Sequence, residues 1–100
     1  MIPGISRRAS GQLSTIAAWW REHRPAAPNL PLDELEAALV RLTENPALGE
    51  PYPVAGAPGL RRVLLRRSRY HVYYSVVVER DLLLVEAIWH ASRRRGPNLR

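Results

Sequence analysis

Residues 60–95 read LRRVLLRRSRYHVYYSVVVERDLLLVEAIWHASRRR, and their pattern decides the fold. Three runs rich in β-branched and aromatic residues, Leu60 to Arg67, Tyr70 to Val78 and Leu82 to Trp89, are separated by the polar breaks Ser68-Arg69 and Glu79-Arg80-Asp81. Breaks this short between strand-like runs imply an antiparallel meander of two hairpins. In the second run Tyr70, Val72, Tyr74, Val76 and Val78 point one way and make the better core face, while His71, Tyr73, Ser75 and Val77 point the other. In the third run both alternating sets are largely apolar, which predicts an internal strand and leaves open which face meets the rest of the chain. Beyond it, residues 91–100 form a basic tail expected to be mobile unless bound.

Upstream of the meander the period changes. Leu13, Ile16, Ala17 and Trp20 fall at offsets 0, 3, 4 and 7 and form one helical stripe. Ser6 is the expected N-cap, and Pro25 ends the helix by disfavouring helical geometry at Arg24, giving a helix over 6–24. RPAAPNLP, residues 24–31, holds three prolines and predicts a stiff, extended link. A second helix over 31–45 has Asp33 and Glu34 in its first turn, Leu32, Leu35, Leu39 and Leu42 as its stripe, and Asn45-Pro46 as its stop. Two helices joined this closely form a hairpin that can cover one sheet face. Pro46 to Gly59, with four prolines and three glycines, has no periodicity and reads as a long loop, functional or mobile. Pro3 and Gly4 weaken a strand at the N-terminus.

One hundred residues allow a single domain spanning 1–100, with a thin core. The absence of cysteine removes disulfides, thiolate metal sites and thiol nucleophiles. His23, His71 and His90 are not spaced as metal ligands, so neither a metal nor another cofactor is expected. No apolar run approaches a membrane span and no signal peptide opens the chain, which predicts a soluble, cytoplasmic protein. The net charge of +6 is uneven: residues 1–60 hold five arginines against six acids, and residues 61–100 hold ten against three. A basic half joined to a near-neutral half implies an anionic target such as nucleic acid or an acidic protein segment.

Four pieces in this order and spacing carry a resemblance: a helix with a Trp-Trp pair and an Arg-Pro exit, the loop NPALGEPYP, the double strand RRVLLRRSRYHVYYSV, and the closing VEAIWHASRR. From about Arg8 to Arg95 the chain resembles the RelE/ParE superfamily of type II toxin–antitoxin toxins, nearest its ParE-like, plasmid-stabilisation branch. The resemblance implies an α+β fold, a helical hairpin packed on a small antiparallel sheet in the order β-α-α-β-β-β, with a first strand that Pro3 and Gly4 would shorten or abolish. It also implies a cognate antitoxin with an acidic, partly disordered segment, and contact with operator DNA only through that antitoxin.

Two mechanisms are found on this scaffold, and they need different residues. A ParE-like toxin inhibits DNA gyrase and needs no catalytic set; Arg66, Arg93, Arg94 and Arg95 are then the target-binding residues. A RelE-like toxin cleaves mRNA on the ribosome and needs a base for the 2′-hydroxyl, a cation for the phosphorane and an acid for the leaving oxygen. Arg62, His71 and His90 are the residues for those roles, although His71 stands where RelE-like sequences commonly carry arginine, and their lysine-rich loop and terminal tyrosine are missing. Trp19, Arg61, Arg67 and Tyr73 are the expected antitoxin contacts. Trp19 and Trp20, being adjacent, cannot share a helix face, so one belongs to the core. The reading favoured is gyrase inhibition, with mRNA cleavage second and a simple basic nucleic-acid-binding module third; the last lacks the aromatic and basic platform of an RNA-binding sheet.

Overall fold

The computed structural model describes residues 1–93 and 95–99. In chain order the elements are β1 (Ile2–Ile5), α1 (Arg7–His23), α2 (Leu30–Glu44), β2 (Glu50–Pro51), β3 (Arg61–Leu65), β4 (Tyr70–Val77) and β5 (Leu82–His90), with single 3-10 turns at Pro46–Leu48 and Val78–Arg80. The expected α+β arrangement is present: two helices cover one face of a sheet ordered β1-β5-β4-β3-β2. The meander β3-β4-β5 is antiparallel, and β2 adds a short antiparallel partner to β3. β1 runs parallel to β5, so the sheet is mixed.

β1 forms in spite of Pro3 because of where the proline falls. The N–H of Ile2 donates to Asp81 O at 2.8 Å and that of Ser6 to Val85 O at 2.9 Å. Even-numbered positions therefore face β5, and Pro3 points its missing N–H away from the sheet, where no ladder bond is lost. Gly4 lets Leu82 close over the strand, since a Cβ there would lie 2.9 Å from Leu82 Cδ1. The opposite edge repeats the device. Tyr52 N–H donates to Leu60 O at 2.8 Å, which turns Pro51 outward.

The core lies between the helices and one sheet face. Ala9 and Ile16 of α1 and Leu35 and Ala38 of α2 pack with Leu65, Tyr70, Val72, Val85 and Ile88, and Leu42, Tyr74 and Leu83 continue the layer. Trp20 packs against this core and hydrogen-bonds Tyr70 Oη at 3.1 Å, which leaves Trp19 as the exposed member of the pair.

The apolar character of both faces of β5 has a local cause. Tyr73 pairs with Ala87 and Tyr74 with Val85, so Glu86 is an extra residue in a β-bulge. Leu83 and Val85 face the helices before it; after it Ile88 does, while Ala87 and Trp89 turn to the other side. β1 has already ended here, and α1 supplies the missing partners. Ser6 Oγ accepts from Ala9 N–H at 3.1 Å as the N-cap of α1 and donates to Glu86 O at 3.1 Å, and Gln12 Oε1 accepts from Ile88 N–H at 2.8 Å.

Three local expectations need correction. The link after α1 is not extended: Ala27 N–H returns to Arg24 O and Leu30 N–H to Ala27 O, two consecutive turns with Pro25 and Pro28 at their second positions, where a fixed φ favours turning. The loop over 46–59 is not a free segment: Tyr52, Val54 and Ala57 pack with Leu60, Tyr73, Ala87 and Trp89 on the sheet face away from the helices. Leu99 of the tail joins the same cluster, Trp89 Nε1 donates to Arg95 O at 2.5 Å, and Arg8 Nη1 donates to Asn98 O at 2.7 Å, so the described part of the tail lies back along the domain. Among the described residues no helix is long and apolar enough to cross a membrane.

Candidate functional site

The face opposite the helices gathers a polar cluster around Arg62. On β3 this residue pairs across the ladder with Tyr73 of β4. Its Nε donates to Glu50 Oε1 at 2.6 Å, its guanidinium lies 4.7 Å from the centre of the Tyr52 ring, and it reaches the Tyr73 hydroxyl. Burial works against the Arg62 charge, but Glu50 and Tyr73 outweigh it and raise its pKa further. Burial pushes the Tyr73 phenol up in spite of Arg62. His71 lies on this same face, its ring centre 6.1 Å from that of Tyr73. Burial, aided by the charges of Arg62 and Arg69 and opposed by Glu50, holds His71 below the ordinary histidine value.

Of the three residues an RNA-cleaving site would need, Arg62 and His71 are thus brought together and His90 is not. His90 pairs with Tyr70 on the helix side, its ring edge-on to the Tyr70 ring at 5.0 Å, and its Nδ1 is 2.7 Å from Ser92 Oγ. Arg62 is already held by a carboxylate, and so is poorly free for a phosphate.

A second feature lies at the other end of the sheet. Between α1 and the ends of β4 and β5 runs a groove of about 790 Å³ lined by Trp19, Trp20, Tyr70, His90 and the cations Arg24, Arg67 and Arg93, with no carboxylate among the described residues of its wall. The cations are placed over the aromatic rings: Arg24 lies 5.2 Å from the centre of Trp19, and Arg93 4.4 Å from that of Trp89. His23 stacks on Trp19 at 4.5 Å. Among the described residues the ion pairs are Arg62–Glu50 and the N-terminus with Asp81, so these three groove arginines have no carboxylate partner there. Glu34 accepts the backbone N–H groups of Arg67 and Ser68 at 3.0 and 2.8 Å. Burial would raise the Glu34 pKa, and these bonds, with the Arg67 charge, lower it on balance; the buried Ser68 hydroxyl lies close by without reaching hydrogen-bond geometry.

The remaining predicted residues fall in different places. Trp19 and Arg67 line the groove together with Arg93. Arg61 is turned to the far end of the sheet, where its Nη1 donates to Gly49 O at 2.6 Å. Tyr73 is 1 % exposed beneath Tyr52, Leu60 and the tail, so no partner reaches it while they stay in place. Arg66 is exposed at the end of the β3-β4 hairpin, beside Arg62 and Arg69. Arg95 contributes its carbonyl to Trp89, and Arg94 lies outside the described residues. Sequence reasoning missed Glu50 and Tyr52, which pin Arg62, and Arg24, which crowns the groove. The loop motif around Tyr52 and the Arg-Pro exit at Arg24 were visible, but nothing in them indicated which sheet face they would reach.

The family model described as ParE toxin of type II toxin–antitoxin system, parDE, matches residues 5–95. Among solved structures, the chain is similar to the chromosomal ParDE toxin–antitoxin system from P. aeruginosa, at 19 % identity over 92 % of this chain and 97 % of that chain, with a TM-score of 0.74. It is also similar to the isolated E. coli RelE toxin, at 23 % identity over 94 % and 87 % with a TM-score of 0.61. The intact E. coli RelBE toxin–antitoxin complex gives 24 % identity over 92 % and 98 % with a TM-score of 0.61. At these identities the structural likeness is one of fold. No curated protein matches the sequence significantly.

Proposed function

Because the chain belongs to the ParE toxin family of type II toxin–antitoxin systems, we propose that it arrests growth by ParE-like inhibition of DNA gyrase and is neutralised by a cognate antitoxin. The observation that carries the choice of target is the dispersal of the acid/base set. RNA cleavage needs a base, an acid and a free cation around one phosphate. Here His90 is on the helix side of the sheet, away from His71, and Arg62 is engaged by Glu50 and Tyr73. Gyrase inhibition requires only a binding surface, and the exposed arginines Arg66, Arg93 and Arg95 offer a cationic one. In this reading Arg94 belongs to the same basic run.

The runner-up, ribosome-dependent mRNA cleavage, is favoured by one observation: Arg62 and His71 do share a face. Controlled expression of the chain alone, read in parallel for DNA supercoiling and for cuts in translating mRNA, separates the two. Blocked supercoiling with intact mRNA is the expected result. Codon-phased cuts with normal supercoiling would replace the gyrase reading with the nuclease one.

A further inference from the structure

We propose that the end of the β3-β4 hairpin binds the phosphate backbone of duplex DNA, so that the toxin engages gyrase where gyrase already holds its DNA. The second clause rests on the gyrase reading above and deepens it; the first stands without it. The turn reads Arg66-Arg67-Ser68-Arg69, and its three arginines are exposed. Arg41 of α2 lines one hollow with Arg66 and Arg69, and Arg93 lines the groove already described with Arg67. Among the described residues none of these five arginines is in an ion pair. The carboxylate beside them, Glu34, has both oxygens bonded to the turn's own backbone, at Arg67 and Ser68.

The turn is built to hold those charges in place. Glu34 ties it to α2, Arg69 N–H donates to Leu65 O at 2.8 Å, and Ala91 N–H donates to Arg69 O at 2.7 Å. Arg69 itself has a φ of +69°, a left-handed backbone that glycine, asparagine or aspartate adopts more readily. The other hairpin fills its left-handed position with Asp81 and sets Glu79 beside Arg80, so acids outnumber the arginine there. A guanidinium kept at a strained position on an anchored turn is explained by a ligand for its charge.

The surroundings select among anions. Single-stranded nucleic acid stacks its bases on open aromatic faces. The turn carries no aromatic residue, and Trp19 in the neighbouring groove is stacked by His23 and overlaid by Arg24. An acidic protein surface would need an apolar anchor among the charges. Of the large apolar side chains exposed among the described residues, none lies between Arg61 and Val77; only Leu48 and Trp19 border the two hollows, one in each, and they form no apolar centre. A duplex backbone asks for neither feature. It is a regular line of phosphates, which forked guanidinium donors pair with whatever the base sequence.

The test titrates the full chain against a short labelled duplex of random sequence, read by fluorescence anisotropy over a series of salt concentrations, with supercoiling by gyrase measured in parallel. The variants are Arg66→Gln combined with Arg69→Gln, Arg69→Gly alone and, on the other hairpin, Arg80→Gln as control; circular dichroism checks their folding. The double variant should bind DNA roughly tenfold more weakly or worse and lose about two from the slope of log affinity against log salt, one for each phosphate contact removed. Arg69→Gly should bind more weakly while its thermal midpoint stays level or rises, a combination that a merely structural role for Arg69 would not give. Arg80→Gln should match the wild type. If the hairpin variants bind DNA like Arg80→Gln, or the wild type does not bind duplex at all, the proposal is wrong, and blocked supercoiling in the same experiment would leave the gyrase reading standing. DNA binding that is lost in the hairpin variants, with supercoiling untouched by the wild type, would keep the hairpin assignment and overturn the gyrase reading. Tighter binding to the single strand, or displacement of the duplex by polyglutamate at equal charge, would also defeat the proposal.

Discussion

Tyr74 shows how one side chain ties the loop to the sheet. Its hydroxyl donates to Pro46 O at 2.6 Å and accepts from Gly49 N–H at 2.8 Å, and any Cβ at Gly49 would overlap it. Burial, partly offset by that N–H and by Arg61, raises its pKa, so it stays a neutral phenol that can make both bonds. Tyr74→Phe leaves a buried N–H and carbonyl unpaired and should lower unfolding free energy by about 1–3 kcal/mol in urea titration. His71 gives a pH-dependent effect. Its folded pKa lies below the ordinary 6.5, so its contribution to stability is complete above that value and is lost as pH falls through the lowered one. His71→Gln should therefore reduce the loss of stability between neutral and mildly acid pH, measured by urea midpoints across that range. An unchanged slope would mean that the ring is not held neutral by the fold.

At the scale of elements, the join between β1 and α1 is the point on which the sheet depends. Ser6 caps the helix and satisfies Glu86 O just where β5 bulges. Ser6→Ala removes both functions and should lower stability by about 1–2 kcal/mol, read as a fall in the thermal midpoint. The helices and β4 were legible from the sequence because their apolar residues keep a period of 3.6 or 2, and β3 and β5 because short polar breaks set them off as apolar runs. The bulge at Glu86 was not, since one extra residue reverses the phase of β5 and makes both of its faces look apolar. The two hairpins were read from the shortness of the polar breaks alone, because the left-handed residues are Arg69 and Asp81 in place of glycine and the usual turn signal was absent. Pro3 misled in the opposite direction, because the cost of a proline in a strand depends on which side its nitrogen faces.

For the whole molecule, the second sheet face is covered by the loop after α2 and by the tail, and neither has a periodic pattern that could have announced it. This is why the sequence revealed which residues were polar enough to act but not that Tyr73 would be covered, or that Trp19, Arg67 and Arg93 would meet in one groove. Ending the chain after Arg95 removes the cover supplied by Leu99 and the Arg8–Asn98 contact. Leu99 is only half-buried, so the loss should stay below about 2 kcal/mol in urea denaturation, while Tyr73 gains reactivity toward a phenol-modifying reagent. A loss several times larger would make the tail part of the core. The prolines at the two sheet edges have a consequence for the free toxin at high concentration. Bare edge strands are the usual seeds of fibrils, since each added chain renews the template. With both margins interrupted, isolated chains should remain dispersed in solution, and replacing Pro3 and Pro51 by valine should bring on aggregation that light scattering detects.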